Sequence, residues 1–126
     1  MILLLDTHIL LWWLGDDPTL PPRAAEAITD SETSVAVSAA TAWEIAIKRA
    51  AGRLEAPEDL LDALEANHFA ALAITASHAI AAGGLPLHHG DPFDRMLIAQ
   101  ARTEGLTLVS VDDRMAGYDV DLLPLG

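Results

Sequence analysis

Apolar and polar positions fall into blocks along the chain, each short enough to be a single element. The apolar run Ile2–Leu5 ends at Asp6 and reads as a buried strand. His8–Leu14 reads as a helix, closed by Gly15-Asp16-Asp17-Pro18, a combination that favours loops. Pro21-Pro22 opens a second helix over Arg23–Thr29, because proline is tolerated in a first turn. Ser34–Val37 is the second strand, followed by a helix from Ser38 to Ala51 that Gly52 stops. Beyond Pro57, Glu58–Ala66 places Leu60, Leu61 and Leu64 on one helical face. Leu72–Ile74 reads as a third strand, Ser77–Ala82 as a short helix ending at Gly83-Gly84, and Leu85–Gly90 as a loop. Asp91–Glu104 is a helix that Gly105 stops, Leu106–Val111 is the clearest strand, and Val120–Leu123 adds a short final one.

Strands alternating with helices of about ten residues imply crossover connections and a parallel sheet. The pattern predicts an α/β fold: one domain over residues 1–126, with a short parallel sheet covered by helices on both faces. There are no repeats or low-complexity tracts. Ile9-Leu10-Leu11-Trp12-Trp13-Leu14 is apolar without a break, and one helix cannot turn all of these into one core. Two outcomes follow: a tryptophan on an exposed patch that another chain covers, or a helix buried on both sides.

Composition narrows the function classes. Only 5% of residues are aromatic against 52% apolar, so Leu, Ile, Val and Ala build the core. The absence of cysteine excludes disulfides, thiolate nucleophiles and zinc–thiolate sites. The N-terminal run lacks the basic region of a signal peptide, and no apolar run approaches the roughly 20 residues of a membrane span. The expectation is therefore a cytoplasmic protein with no membrane partner. The net charge of −12 lacks the basic surplus of a nonspecific nucleic-acid binder. If nucleic acid is the ligand, contact must run through metal ions and a few placed cations. The same acidity suits a basic protein partner.

Acids stand where the predicted strands end. Active sites of open parallel sheets lie beyond the carboxyl ends of the strands. Asp6 follows the first strand, Glu44 lies on the helix after the second, and Asp112 follows Leu108-Val109-Ser110-Val111. Asp94, one turn into the helix opened by Asp91-Pro92, can face the same edge. Hard divalent cations take several oxygen ligands, and magnesium is held by a few carboxylates while keeping waters. Gathered carboxylates repel one another, and a cation resolves the conflict. Such an ion can activate water and steady the charge developing on a phosphodiester.

Ordinary roles compete for most of these residues. Thr41-x-x-Glu44 matches a capping box, although Ser38 is the better helix start. Glu44 and Lys48 are spaced for an i,i+4 ion pair worth ~0.3–0.5 kcal/mol. Asp91 suits an N-cap with proline behind it, Asp94 then profits from the helix dipole, and Asp112 and Asp113 suit a turn. Asp6 is different, because a carboxylate leaving a buried strand beside Leu5 and Ile9-Leu10-Leu11 is costly to enclose without a partner. Among the histidines, His8 reads as core-facing or as a support for the site. For His88-His89, in the loop before Asp91, a metal or phosphate role stands beside the preferred reading of a solvated or loop-bracing pair, and none of the histidines shows zinc-ligand spacing.

Leu5-Asp6-Thr7-His8 with Leu11-Trp12 is followed in order by three further blocks. These are Trp43-Glu44-Ile45-Ala46-Ile47-Lys48, then Leu85-Pro86 and His89 leading into Asp91-Pro92-Phe93-Asp94-Arg95, then Leu108-Val109-Ser110-Val111-Asp112. This series resembles a PIN domain, and more narrowly the VapC toxins of bacterial type II toxin–antitoxin pairs. The resemblance spans nearly the whole chain, and its most specific part is Asp-Pro-Phe-Asp-Arg before Ile98-Ala99-Gln100-Ala101. It implies an endoribonuclease with magnesium or manganese as cofactor, RNA as substrate, a homodimer, and an antitoxin that blocks the site. By motif, the metal-binding and catalytic acids are Asp6, Glu44, Asp94 and Asp112. Asp6 and Asp94 hold the principal ion, while Glu44 and Asp112 complete the set and help deprotonate the attacking water. Lys48, Arg95 and Arg114 are candidates for phosphate contact, with surface ion pairing as their ordinary alternative. Gly90 stands where relatives often carry a basic residue, and Asp113 doubles the final acid.

Other classes fit less well. Haloacid dehalogenase-like phosphotransferases need Asp-x-Asp after the first strand, and position 8 is histidine. Response-regulator receivers want neighbouring acids at the first strand and a lysine after the last. A PIN-like binding module without nuclease activity is the main non-enzymatic alternative.

Overall fold

Leu3, Leu4 and Leu5 are all fully enclosed, which a strand achieves only at the centre of a sheet covered on both faces. The computed structural model describes residues 1–126. It contains four strands, β1 (Ile2–Leu5), β2 (Ser34–Ser38), β3 (Ala70–Leu72) and β4 (Thr107–Val109). Six helices accompany them: α1 (Thr7–Leu14), α2 (Pro22–Thr29), α3 (Ala39–Ala50), α4 (Leu60–Ala66), α5 (Ala76–Gly83) and α6 (Pro92–Glu104). A 3-10 helix, Asp113–Gly117, follows β4. All pairings are parallel and the strand order is β3-β2-β1-β4, so the expected α/β architecture is present.

The two faces of the sheet hold separate cores. Side chains alternate along a strand, and Leu3 and Leu5 pack with Val35, Val37 and Val109 against Ile9, Ile28, Ile45 and Leu64 of α1 to α4. Leu4, Ala36 and Leu108 point the other way, onto Leu97, Ile98 and Ala101 of α6 and Met115 and Tyr118 beyond β4. The register Leu4↔Ala36 and Leu4↔Leu108 keeps each set on its own side.

Several boundaries differ from those the sequence suggests, each for a pairing or capping reason. β3 is Ala70–Leu72 rather than Leu72–Ile74, because its partner β2 ends at Ser38, opposite Leu72. β4 stops at Val109 rather than Val111, because the last rung is the Asp6 N–H on the Val109 carbonyl (3.0 Å) before β1 turns into α1. The final strand reduces to one parallel bridge, Leu108↔Leu122. Asp59 caps α4, so that helix begins at Leu60 rather than Glu58. Gly105 closes α6 in the left-handed region (φ 67°), where glycine pays no steric penalty.

Neither Trp12 nor Trp13 forms the open patch that was one of the two outcomes for α1. Both are half-buried against the first core, and Trp13 Nε1 donates to Asn67 Oδ1 at 2.9 Å. The exposed tryptophan is Trp43 on α3, 62% accessible and edge-on to Phe93. No helix is long and apolar enough to cross a membrane.

Because Leu4 is the only β1 residue in the second core, Leu4→Ala should destabilise the chain by about 2–5 kcal/mol. The urea unfolding midpoint checks this, and a loss well under 1 kcal/mol would show that α6 closes onto the sheet without it.

Candidate metal centre

With every strand parallel, all four carboxyl ends lie at one edge. Connections from β1 step outward through β2 to β3, and β4 then lies on the other side of β1. The order reverses between β1 and β4, and such a switch point leaves a crevice at the carboxyl edge. Asp6 follows β1 and Asp112 follows β4 by three residues, so both acids enter that crevice by topology.

Asp6 adopts extended backbone and caps α1, accepting the Ile9 N–H at 2.9 Å. Only 5% of it is exposed. Burial pushes its carboxyl above the ordinary range, the Asp112 charge adds to this, and hydrogen bonds from Ser110 and Ile9 oppose it. Glu44, 4% exposed, sits in the second turn of α3. The Thr7 hydroxyl, from the first turn of α1, donates to its Oε1 at 2.6 Å, and Lys48 Nζ approaches Oε2 at 2.5 Å. The capping-box reading of Thr41 does not hold: Ser38 caps α3, accepting the Ala40 N–H, and Thr41 lies within the helix.

Asp94 stands in the first turn of α6, which Asp91 caps by accepting the Phe93 (2.8 Å) and Asp94 (3.4 Å) N–H groups. Its pKa is pushed up to about 6, first by burial and then by the charges of Asp91, Asp6 and Glu44, with His89 pulling the other way. Asp112 is the opposite case. Arg114 grips both its oxygens (Nε to Oδ1 3.0 Å, a terminal nitrogen to Oδ2 2.8 Å), which brings its pKa down to about 2. Asp113, beside it, is exposed.

The residue that knits these acids together is His89, for which the solvated reading does not hold while the loop-bracing one does. His89 is 2% exposed. Its Nε2 lies 2.8 Å from Asp94 Oδ2 and 3.1 Å from Asp112 Oδ2. The ligand atoms of His89, Asp94 and Asp112 all fall within 4.8 Å of one another. Asp6 and Glu44 stand outside this trio, although both charges act on Asp94. His88 remains exposed, edge-on to Tyr118, and His8 is exposed against Trp12 rather than facing the core.

The three candidate phosphate contacts separate. Lys48 and Arg114 stand on cluster acids, Glu44 and Asp112. Arg95 points away from the cluster, into the loop before α6. Its guanidinium donates to the carbonyls of Ala82, Leu85, Pro86 and His89 at 2.9–3.3 Å, so it braces the loop. This brace does not show in the sequence pattern, and the enclosure of His89 does not either. The one available signal was a histidine two residues before an Asp-Pro helix start.

Carboxylates gathered at the mouth of a β1/β4 switch point, with their hard oxygen donors, match the donor set of a divalent cation. A scan against family models matches the PIN domain over residues 3–121. The chain belongs to the PIN-domain family. It is 33% identical over 118 residues to ribonuclease VapC22 of Mycobacterium tuberculosis, covering 91% of this chain and 90% of that one. Its fold is that of a toxin–antitoxin complex chain from Klebsiella pneumoniae (TM-score 0.69, 17% identity, 98% and 97% of the two chains). It also matches a chain of VapBC2 from Rickettsia felis, solved on a promoter DNA fragment (TM-score 0.67, 17% identity, 97% of each). The likeness to these chains extends over the whole sheet and its helices.

The electrostatics carry a stability prediction for the metal-free PIN domain. Asp94 has a folded pKa near 6 against an ordinary 3.8, so the folded state holds its proton longer. This group's contribution is present at low pH and is lost as pH rises through about 6. Asp94→Asn in EDTA at pH 7.5 should therefore raise stability by about 1–3 kcal/mol, read from thermal or urea unfolding. A lower midpoint would mean that the His89 contact outweighs the repulsion.

Proposed function

We propose that this PIN domain is a magnesium-dependent endoribonuclease, with manganese as an alternative ion, acting as the toxin of a toxin–antitoxin pair. The observation that carries the reading is the group His89, Asp94 and Asp112, whose ligand atoms fall within 4.8 Å of one another at the carboxyl edge of the sheet, and the charges of Asp6 and Glu44 reach Asp94 as well. The identity to a relative named as a ribonuclease supports the reaction class.

A divalent ion bound there supplies charge neutralisation for the phosphodiester and an acidified water. Asp6 and Asp94 would hold it, with Glu44 and Asp112 completing the set directly or through water. Asp6 suits this because the α1 cap fixes its orientation. Thr7 fixes Glu44 by donating to Oε1, and a carboxylate so oriented is placed to accept a proton from an attacking water. Lys48 and Arg114 neutralise acids at the site. With those acids neutralised by a bound ion, each would be free to turn onto a substrate phosphate. Arg95 has no such freedom, because four carbonyls engage it.

For partners, the reading implies a cognate antitoxin, a homodimer and RNA. Trp43 and Ile47 on α3 and Leu61 on α4 are exposed apolar side chains, a surface suited to a protein partner. The net charge of −12 favours a basic one. The toxin reading places the protein in the cytoplasm.

The test is cleavage of RNA by purified protein with MgCl2 or MnCl2, against EDTA. Cleavage should require the ion. Asp6→Asn should reduce it at least 1,000-fold, roughly the loss of about 4 kcal/mol of transition-state stabilisation. Asparagine still caps a helix, so circular dichroism should stay unchanged. Metal-independent cleavage, or full activity of Asp6→Asn, would end the proposal, and metal binding without cleavage would leave a binding module.

A further inference from the structure

His89 has no part in the chemistry proposed above, yet it is the most enclosed group at the site. Its Nδ1 accepts the Asp91 N–H at 3.2 Å, so the neutral ring carries its hydrogen on Nε2. That N–H bonds Asp112 Oδ2 at 3.1 Å and lies 2.8 Å from Asp94 Oδ2. Asp94 rides on α6 and Asp112 follows β4, so no shared element sets the distance between them. The imidazole is itself held rigidly. The His89 N–H donates to Tyr118 Oη at 2.9 Å, and Tyr118 Oη donates to the Pro86 carbonyl at 2.7 Å. Arg95 also donates to the carbonyls of Pro86 and His89, beside Tyr118 Oη.

We propose that His89 is a positioning residue of the metal centre: its Nε2–H donates to Asp112 while the same edge of the ring packs against Asp94, which sets the spacing of the two carboxylates, and the Arg95–Tyr118 brace holds the imidazole in place. The inference rests on the metal reading above. His89 is not itself a ligand on this account, because ligation through Nε2 requires that nitrogen bare, and the Asp91 N–H favours the hydrogen there. Partners of this kind, one step removed from the ion, orient ligands and typically change metal affinity by 10–100-fold.

The experiment is calorimetric titration of the purified, metal-stripped chain with MnCl2, with circular dichroism as a folding check. Methionine and glutamine are similar in length, and only glutamine carries an N–H donor. His89→Met should weaken Mn2+ binding by roughly 10–100-fold, and His89→Gln should recover part of the loss. Tyr118→Phe keeps the imidazole but removes one arm of its brace. It should weaken binding several-fold in the wild-type background and add nothing to His89→Met. If His89→Met does not fold, the Tyr118→Phe and His89→Gln affinities decide, and wild-type affinity in both overturns the inference. Wild-type Mn2+ affinity in a folded His89→Met overturns it while leaving the metal centre intact. A nitrogen coupling in the paramagnetic resonance of bound Mn2+ that disappears in His89→Met makes His89 a ligand and likewise overturns the positioning role. Absence of Mn2+ binding by the wild-type chain removes both readings together.

Discussion

Mutual repulsion among carboxylates enclosed at one sheet edge is the constraint around which this molecule is arranged. Asp6 and Glu44 are almost fully buried, Asp94 largely so, and each carries charge into a region where water screens it poorly. Enclosed acids survive only if their charge is answered. Here the answers are local and individually weak: a backbone N–H on Asp6, a hydroxyl and a lysine on Glu44, and an arginine and an imidazole N–H on Asp112. Asp94 is the least compensated, and its pKa near 6 records first its burial and then the charges of Asp91, Asp6 and Glu44.

The same side chains perform structural and chemical tasks, and the two do not compete. Asp6 caps α1, Asp91 caps α6 and Asp112 caps the 3-10 helix, each through local bonds to N–H groups two or three residues on. Helix N-termini offer positive potential and free donors, so a fold that gathers helix starts at one edge also gathers tolerable positions for acids. A capping carboxylate is oriented without a dedicated scaffold, and orientation is what ion binding requires. A single substitution at such a position can keep the cap and lose the charge.

The parallel sheet supplies what local capping cannot. Placing β1 between β2 and β4 brings the residues after Leu5, Ser38 and Val109 to a common edge although they are far apart in sequence. The two cores on opposite faces fix the register, because a one-residue slip would exchange the leucines of β1 between α1 to α4 on one side and α6 on the other. Both cores pack against the strands that end in the site.

The alternation of strands and helices was legible in the residues because period and capping are local properties. So were Asp6 at a strand end and the Asp91-Pro92 helix start, and the ordered motifs allowed the PIN domain to be named. Element ends were less legible: β3 and β4 stop where a neighbouring strand stops, which their own residues do not encode. The positions of His89 and Arg95 were decided only by tertiary structure. Both belong to the irregular stretch before α6 and its first turn, where no period marks a side chain as inward. Whether a histidine is solvated or wedged between two carboxylates depends on how Tyr118, some thirty residues later, folds back onto that loop. Trp43 taught the same lesson in reverse. A run of apolar residues drew attention to Trp12 and Trp13, yet packing half-covered both and left the tryptophan beside Glu44 in the open, because exposure is set by what neighbours a residue in space and not by what precedes it in the chain.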